Sequence, residues 1–214
     1  MSTRQASVVS PASLKNVVGS MEPRFGNAQQ QDASELLLSL TDLTGRELGE
    51  RSPFEVNMKG YVTQVTKCKV CLETVEKTQK FHQLQLPVLK QTCTLKECWD
   101  TNFADDVLDD AECYFCGVVG QRVQKYTIEV GRILVVHLKR FCFDGDQTTK
   151  IDTLVEAPQD WVPVENGFTY KLVATVNHHG ENLEKKLQLR VKYIPLEIDE
   201  QNETVDPPNL FYIS

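Results

Sequence analysis

No stretch of this sequence is apolar for the roughly 18 residues that a membrane-crossing helix needs, so no such helix is expected. Met1 to Ser10 has no apolar core, so it does not read as a secretory leader, and the sequon Asn202-Glu203-Thr204 is then taken as chance. No repeat, low-complexity tract or Pro/Gly-rich linker divides the 214 residues, which suits one domain, or one with an appendage. Positive charge is in short supply. Lys and Arg number 23 against 30 Asp and Glu, a net charge of −7, and a nucleic-acid backbone therefore makes a poor partner. The balance suits a basic protein partner or simply a solvated surface. Two further absences bear on chemistry: no cysteine precedes Cys68, and no histidine follows His179.

What is present begins with an ordinary hydrophobic fraction, 41%, enough for a sizeable core and against wholesale disorder. There are seven cysteines, an odd count that, with no leader, points to a reducing compartment, cytoplasm or nucleus. Four of them form two C-x-x-C pairs, Cys68/Cys71 and Cys113/Cys116. Two residues between cysteines allow a tight turn to aim both sulfurs at one tetrahedral ion, and two such turns give a closed shell of four thiolates, hence a structural zinc. The separation of Cys71 from Cys113 exceeds the roughly 15–20 residues of a simple zinc ribbon, so the intervening chain must leave and return. The alternative is two independent pairs. Neither pair sits in a βαβ context, which argues against a thioredoxin-like redox site. Cys93, Cys98 and Cys142 read as small buried hydrophobes.

Along the chain, Pro11 opens a short helix with Leu14, Val17 and Val18 on one face. Ala33, Leu36, Leu37, Leu40 and Leu43 recur at helical spacing, predicting a helix from about Gln30 to Arg46 with Asp32 and Glu35 on one flank. From Phe54 onward β-branched and alternating residues predict strands at Tyr61–Thr66, Thr74–Val75, Leu84–Val88, Gln124–Val130 and Ile133–Phe143, the last buried on both faces over Ile133–Val136. Thr94 and Glu97 make a capping box for a helix ending near Phe103. Phe168–Asn177 and Leu187–Ile194 alternate as a hairpin would, Glu197–Pro208 reads as loop, and Leu210–Ile213 as a last short strand. The class is α+β.

Several segments taken together resemble the ubiquitin-specific proteases, over roughly Pro11 to Gly180. Gln30-Gln31-Asp32-Ala33-Ser34-Glu35-Leu36-Leu37 is similar to the family's Q-Q-D-A-x-E-F-L helix start, with Leu36 where Phe is common. The paired C-x-x-C with its long insertion resembles the family's zinc fingers. Leu134 to Phe141, then Lys150-Ile151, resembles L-x-x-H-L-K-R-F and K-I, and Tyr170-Lys171-Leu172 leading to His178-His179-Gly180 resembles Y-x-L…H-S-G. The resemblance implies a papain-like hand that holds ubiquitin or a ubiquitin-like protein. Its parts would be thumb-edge helices over 11–50, zinc-bearing fingers over 54–130, palm over 131–196 and a divergent tail over 197–214. It also implies that Asp32 and Glu35 meet the arginine-bearing ubiquitin tail, with charge-assisted bonds; a helix-start acid pair favoured by the dipole is the alternative. Arg140 and Phe141 are implied as ubiquitin-facing, or as palm framework. Asp144–Thr149 resembles the family's first blocking loop, or is a plain hairpin tip.

The catalytic boxes do not match. The family's nucleophile lies in a G-N-T-C-Y box before the Q-Q-D-A helix, where this sequence has no cysteine. Its base is the histidine of a G-H-Y box after H-S-G, where this sequence has Glu181-Asn182-Leu183-Glu184 and no further histidine. A cysteine protease needs both groups. The expectation is a family member that binds ubiquitin without cutting it, or one whose boxes are encoded beyond this sequence. The competing class is a zinc-ribbon protein–protein scaffold that ignores ubiquitin. Without a full thumb, the apolar flank of the Gln30 helix should be exposed.

Overall fold

A computed structural model describes residues 11–29, 31–144, 147–164, 169–178, 187–188 and 209–213. The N-terminal part is helical. Helix α1 (Ala12–Met21) buries only Val18, while Leu14, Val17 and Met21 face outward, so the expected apolar face is split. A 3-10 turn at Pro23–Phe25 buries Phe25. Helix α2 (Ala33–Leu48) starts two to three residues later than expected, because Asp32 is the N-cap: its carboxylate accepts the Glu35 N–H. The helix ends where Gly49 takes φ +56°.

The buried side of α2 differs from the leucine stripe read in the sequence. Ser34, Ser39, Thr41 and Leu43 are inside, Leu36, Leu37 and Leu40 are half-buried, and Leu38 is 43% exposed. Small hydroxyl side chains let the helix approach its neighbours closely, and they satisfy themselves; the Thr41 hydroxyl donates to the Leu37 carbonyl at 2.7 Å. Helix α3 (Pro53–Met58) falls where the sequence read as the onset of strands; Pro53 at its first position starts it.

The strands follow: β1 (Gly60–Cys68), β2 (Thr74–Phe81), β3 (Leu84–Pro87) and β4 (Cys93–Thr94), then helix α4 (Leu95–Asn102). After it come β5 (Asp106–Leu108), β6 (Arg122–Glu129), β7 (Ile133–Lys139), β8 (Phe141–Asp144), β9 (Gln147–Lys150), β10 (Val155–Glu156), β11 (Asp160–Trp161), β12 (Tyr170–His178), β13 (Leu187–Gln188) and β14 (Asn209–Ile213). Helix α4 carries the capping box anticipated at Thr94 and Glu97. The strand expected over Ile133–Phe143 is broken at Arg140: β7 stops at Lys139, and Phe141 opens the β8–β9 hairpin. The Arg140 guanidinium donates to the Ile151 and Thr153 carbonyls, which clamps the base of that hairpin.

Two sheets organise these strands. An antiparallel blade in the order β2-β1-β6-β5 forms the fingers. The palm sheet runs β11-β12-β14-β7-β3, with β13 paired to β12. Strand β14, expected only as a terminal strand, lies between β12 and β7 and is parallel to both. That explains why Leu134, Val135 and Val136 are all buried: β7 has β14 and β3 as parallel neighbours and core on its face. Of the expected hairpin, Asn177 pairs Gln188 and His178 pairs Leu187; residues 189–194, the loop read at 197–208 and His179 lie outside the described residues.

The core joins β3, α4, β7 and β12 through Leu86, Leu95, Leu134, Val136, Leu138 and Tyr170. The Tyr170 hydroxyl donates to the Gly131 carbonyl at 2.6 Å, and burial pushes its pKa up to about 12. Since β3 and α4 belong to this core, the interval Phe54–Val130 supplies palm as well as fingers. Among the described residues no helix is long and apolar enough to cross a membrane.

Candidate metal centre and the acidic end of helix α2

The four cysteines of the two pairs converge at the tip of the finger blade. Cys68 ends β1, and the antiparallel ladder places it opposite Arg122 at the start of β6, a few residues after Cys116. The long insertion leaves through β2, enters the palm as β3, β4 and α4, and returns as β5 beside β6. Both pairs adopt the same turn. The N–H of the residue after the second cysteine donates to the carbonyl of the first, Leu72 to Cys68 at 3.1 Å and Gly117 to Cys113 at 2.8 Å. The N–H of each first cysteine reaches the carbonyl five residues on, Cys68 to Glu73 and Cys113 to Val118. The residue closing each turn has positive φ: Gly117 at 71°, as glycine readily does, and Leu72 at 65°, where a leucine is strained.

The sulfur geometry fits an ion. All four Sγ atoms lie within 4.8 Å of one another, with Cys68–Cys116 at 3.8 Å and Cys71–Cys113 at 3.7 Å. A tetrahedron with metal–sulfur bonds of about 2.3 Å has sulfur–sulfur edges of about 3.8 Å. The electrostatics are prepared for thiolates. Backbone N–H groups of Cys71 and Val70 pull the Cys68 thiol down to about 6, and those of Cys116 and Phe115 lower Cys113. At Cys71 the Glu73 N–H acts the other way, but burial and the neighbouring sulfurs outweigh it and push that thiol up to about 12. Backbone donors thus favour the thiolate at Cys68 and Cys113, the form in which a cysteine ligates a metal ion. The remaining described cysteines, Cys93 and Cys98, are buried in the core 3.5 Å apart, as expected of small hydrophobes; the Cys142 side chain lies outside the described residues.

The acidic end of α2 is the second feature. Asp32 is exposed at the cap, with one carboxylate oxygen committed to the helix. Glu35 is also exposed, but it is held by the Arg24 guanidinium at 2.7 Å, which also bonds Ser39 and covers the Phe25 ring. The two carboxylates therefore do not stand as an equal open pair: Asp32 is the accessible charge, and Glu35 already receives a guanidinium. Beneath them lies a polar cluster that sequence reading missed. The Gln83 amide donates to the Ser34 hydroxyl at 2.5 Å, and both approach His137 Nδ1 at 3.3 Å. Helix α2, strand β7 and the turn before β3 supply it, so no local pattern could have flagged it. Arg140 and Phe141 sit at the foot of the β8–β9 hairpin, Arg140 engaged with backbone carbonyls as described. The segment 144–149 is the tip of this hairpin, with residues 145–146 outside the described set.

Comparison with known proteins places this geometry. The family model described as ubiquitin carboxyl-terminal hydrolase matches residues 1–187. Ubiquitin carboxyl-terminal hydrolase 2 of Rattus norvegicus is 27% identical over 222 residues, covering 82% of this chain and 36% of the relative. Ubiquitin carboxyl-terminal hydrolase 3 of Homo sapiens is 28% identical over 231 residues, covering 81% and 44%. The chain thus spans less than half the length of these relatives. A solved SAGA Ubp8/Sgf11/Sus1/Sgf73 DUB module bound to ubiquitin aldehyde superposes with a TM-score of 0.67 at 19% identity, over 79% of this chain and 43% of that one; it shares the fold.

Proposed function

We propose, from the premise that this chain belongs to the ubiquitin carboxyl-terminal hydrolase family as a ubiquitin-specific protease homologue, that it holds ubiquitin or a ubiquitin-like protein without cleaving it. The observation that carries the reading is the employment of the described thiols and imidazoles. The four finger cysteines face one another and Cys93 faces Cys98, while His82 faces Glu55 and His137 faces Ser34 and Gln83. Among the described side chains no cysteine is bonded to a histidine, the pairing a thiol protease requires.

In this reading zinc fills the four-cysteine shell as a structural ion, with no open position for chemistry. The finger blade and palm receive the body of ubiquitin. Asp32 takes an arginine of its tail, while Glu35, through Arg24 and Phe25, holds the preceding turn in place. Arg140 and Phe141 fix the hairpin that borders the tail. The cytoplasm or nucleus suits a chain in which none of the described cysteines forms a disulfide. The relatives named as hydrolases and the module solved with ubiquitin aldehyde support ubiquitin as the ligand class.

The test is hydrolysis of a fluorogenic ubiquitin C-terminal substrate alongside ubiquitin binding by calorimetry. Binding without turnover is expected. Turnover abolished by a thiol alkylator would refute the non-catalytic reading, and absence of binding by folded, zinc-loaded protein would favour a scaffold with no ubiquitin contact.

A further inference from the structure

The Ser34–Gln83–His137 cluster, with Ser34 and Gln83 buried and His137 half-buried, joins α2, β7 and the turn before β3, and is left incomplete in one respect. Ser34 lies in the first turn of α2, immediately between Asp32 and Glu35; Gln83 precedes β3; His137 is on β7. Ser34 is 4% and Gln83 8% exposed. The Gln83 amide N–H donates to the Ser34 oxygen, and the Ser34 hydroxyl and the Gln83 amide nitrogen both lie 3.3 Å from His137 Nδ1; an amide nitrogen can only donate, so it suits a ring nitrogen that accepts. This arrangement favours the neutral ring with its proton on Nε2. The Gln83 carbonyl oxygen, meanwhile, is buried with no partner. Such an orphan is costly unless another state of the cluster uses it.

We infer that Ser34, Gln83 and His137 are positioning residues, which fix the first turn of α2, and with it Asp32 and Glu35, only while the His137 ring is neutral. A proton added at Nδ1 makes that atom a donor to the Ser34 oxygen. The Gln83 amide nitrogen, 3.3 Å from Nδ1, then faces a second donor, and inverting the amide relieves this by bringing its orphan oxygen round to accept. The chain of bonds reverses, the amide nitrogen loses its acceptor, and the α2 turn shifts relative to β3 and β7. Polar bonds set this junction because α2 presents Ser34, Ser39 and Thr41, rather than its leucines, to the interior.

The surrounding charges support a neutral ring. Burial disfavours the imidazolium most and lowers its pKa; Asp32 opposes this from the α2 cap, and Lys139 on the same strand adds to it. Neighbouring β3 sets Gln85 opposite His137 and brings no ionisable side chain, and β14 sets Ile213 there. Helix α3 brings Glu55, which is held by Lys80 and His82. The sign follows: a base whose folded pKa lies below its unfolded value of 6.5 stabilises fully above 6.5 and loses stability as pH falls from there towards the folded value.

The network itself stands apart from the ubiquitin reading; its consequence for binding rests on that reading. The test compares wild type, His137→Gln and Ser34→Ala at about pH 7.5 and about pH 5.5, either side of the ordinary histidine value. In the free protein, the urea midpoint of wild type should fall more between the two pH values than that of His137→Gln, and the ring should titrate below 6.5 by NMR. The wild-type dissociation constant for ubiquitin should rise about fivefold on acidification, the low end of ordinary site–site coupling, and that of His137→Gln by less than about twofold. Ser34→Ala, which keeps the ring and breaks the relay, should weaken ubiquitin at both pH values. Equal pH slopes in wild type and His137→Gln, or a ring titrating at or above 6.5, would overturn the inference. Stability behaving as expected while no variant binds ubiquitin at either pH would leave the network standing and remove the ubiquitin reading instead. Should His137→Gln fail to fold, the ring titration and Ser34→Ala decide the matter.

Discussion

Removing the metal from the finger tip should melt the tip and leave the palm folded. The two turns, Cys68–Leu72 and Cys113–Gly117, comprise ten residues, five in each. Fixing them costs about 1–1.5 kcal/mol apiece, or about 10–15 kcal/mol together. Burial does little to offset that: Cys68 and Cys113 are inside, but Tyr114 is 91%, Leu72 64% and Phe115 54% exposed. A structural zinc contributes about 10–16 kcal/mol, close to the same magnitude. The tip should therefore be ordered with zinc and locally unfolded without it, while the palm, whose core does not touch the sulfurs, is unaffected. Amide hydrogen exchange of the purified chain, before and after dialysis against a zinc chelator, reads this directly. The amides of Leu72 and Gly117, hydrogen-bonded within the turns, and those of Cys68 and Cys113, bonded to Glu73 and Val118 just beyond them, should lose protection, and those of Leu134 and Val136 in β7 should keep it. Cys116→Ser should act in the same direction. Undiminished protection at the turns, in protein shown by elemental analysis to be metal-free, would refute the argument that an ion holds them.

Asp32→Asn retains a capping oxygen but loses the charge, so it should weaken ubiquitin binding about tenfold without unfolding α2, the value of one charge-assisted bond; Glu35→Gln should cost less affinity, since Arg24 already occupies that carboxylate. Calorimetry giving unchanged affinity for Asp32→Asn would remove Asp32 from the tail site. Thr94→Ala should lower stability by about 1 kcal/mol in urea titration, by breaking the capping box of α4. The Glu97 carboxyl is held below its ordinary value, first by the Thr94 N–H and then by its hydroxyl, so its contribution is present above about pH 4.5 and lost as pH falls through the lowered value; an acid limb as steep in Glu97→Gln as in wild type would contradict this. Gly120→Ala should destabilise the finger tip by about 2–3 kcal/mol, because φ there is +73° and a Cβ would sit 2.7 Å from the Asp109 carbonyl oxygen; an unchanged melting profile would count against that turn.

The paired cysteines were legible in the sequence because a metal shell demands fixed residue types at fixed short spacing, and the same is true of the Thr94 capping box. The helix over Leu36–Leu43 and the buried run at Ile133–Val136 were legible because burial leaves a periodic trace along the chain. Their surroundings were not. Which side of α2 faces inward depends on the close approach of Ser34, Ser39 and Thr41 to neighbours far away in sequence, and the leucine period alone suggested another face. The break of the palm strand at Arg140 depends on carbonyls more than ten residues away. The place of β14 at the centre of the palm sheet is a matter of long-range pairing, on which a short apolar strand carries no information. The Gln83–Ser34–His137 cluster unites residues separated by 49 and 103 positions. Local sequence thus determined the chemistry that is local, caps, turns and metal ligands, while tertiary packing alone decided which charges stand open and which polar groups are joined, since those depend on what each side chain meets across the fold.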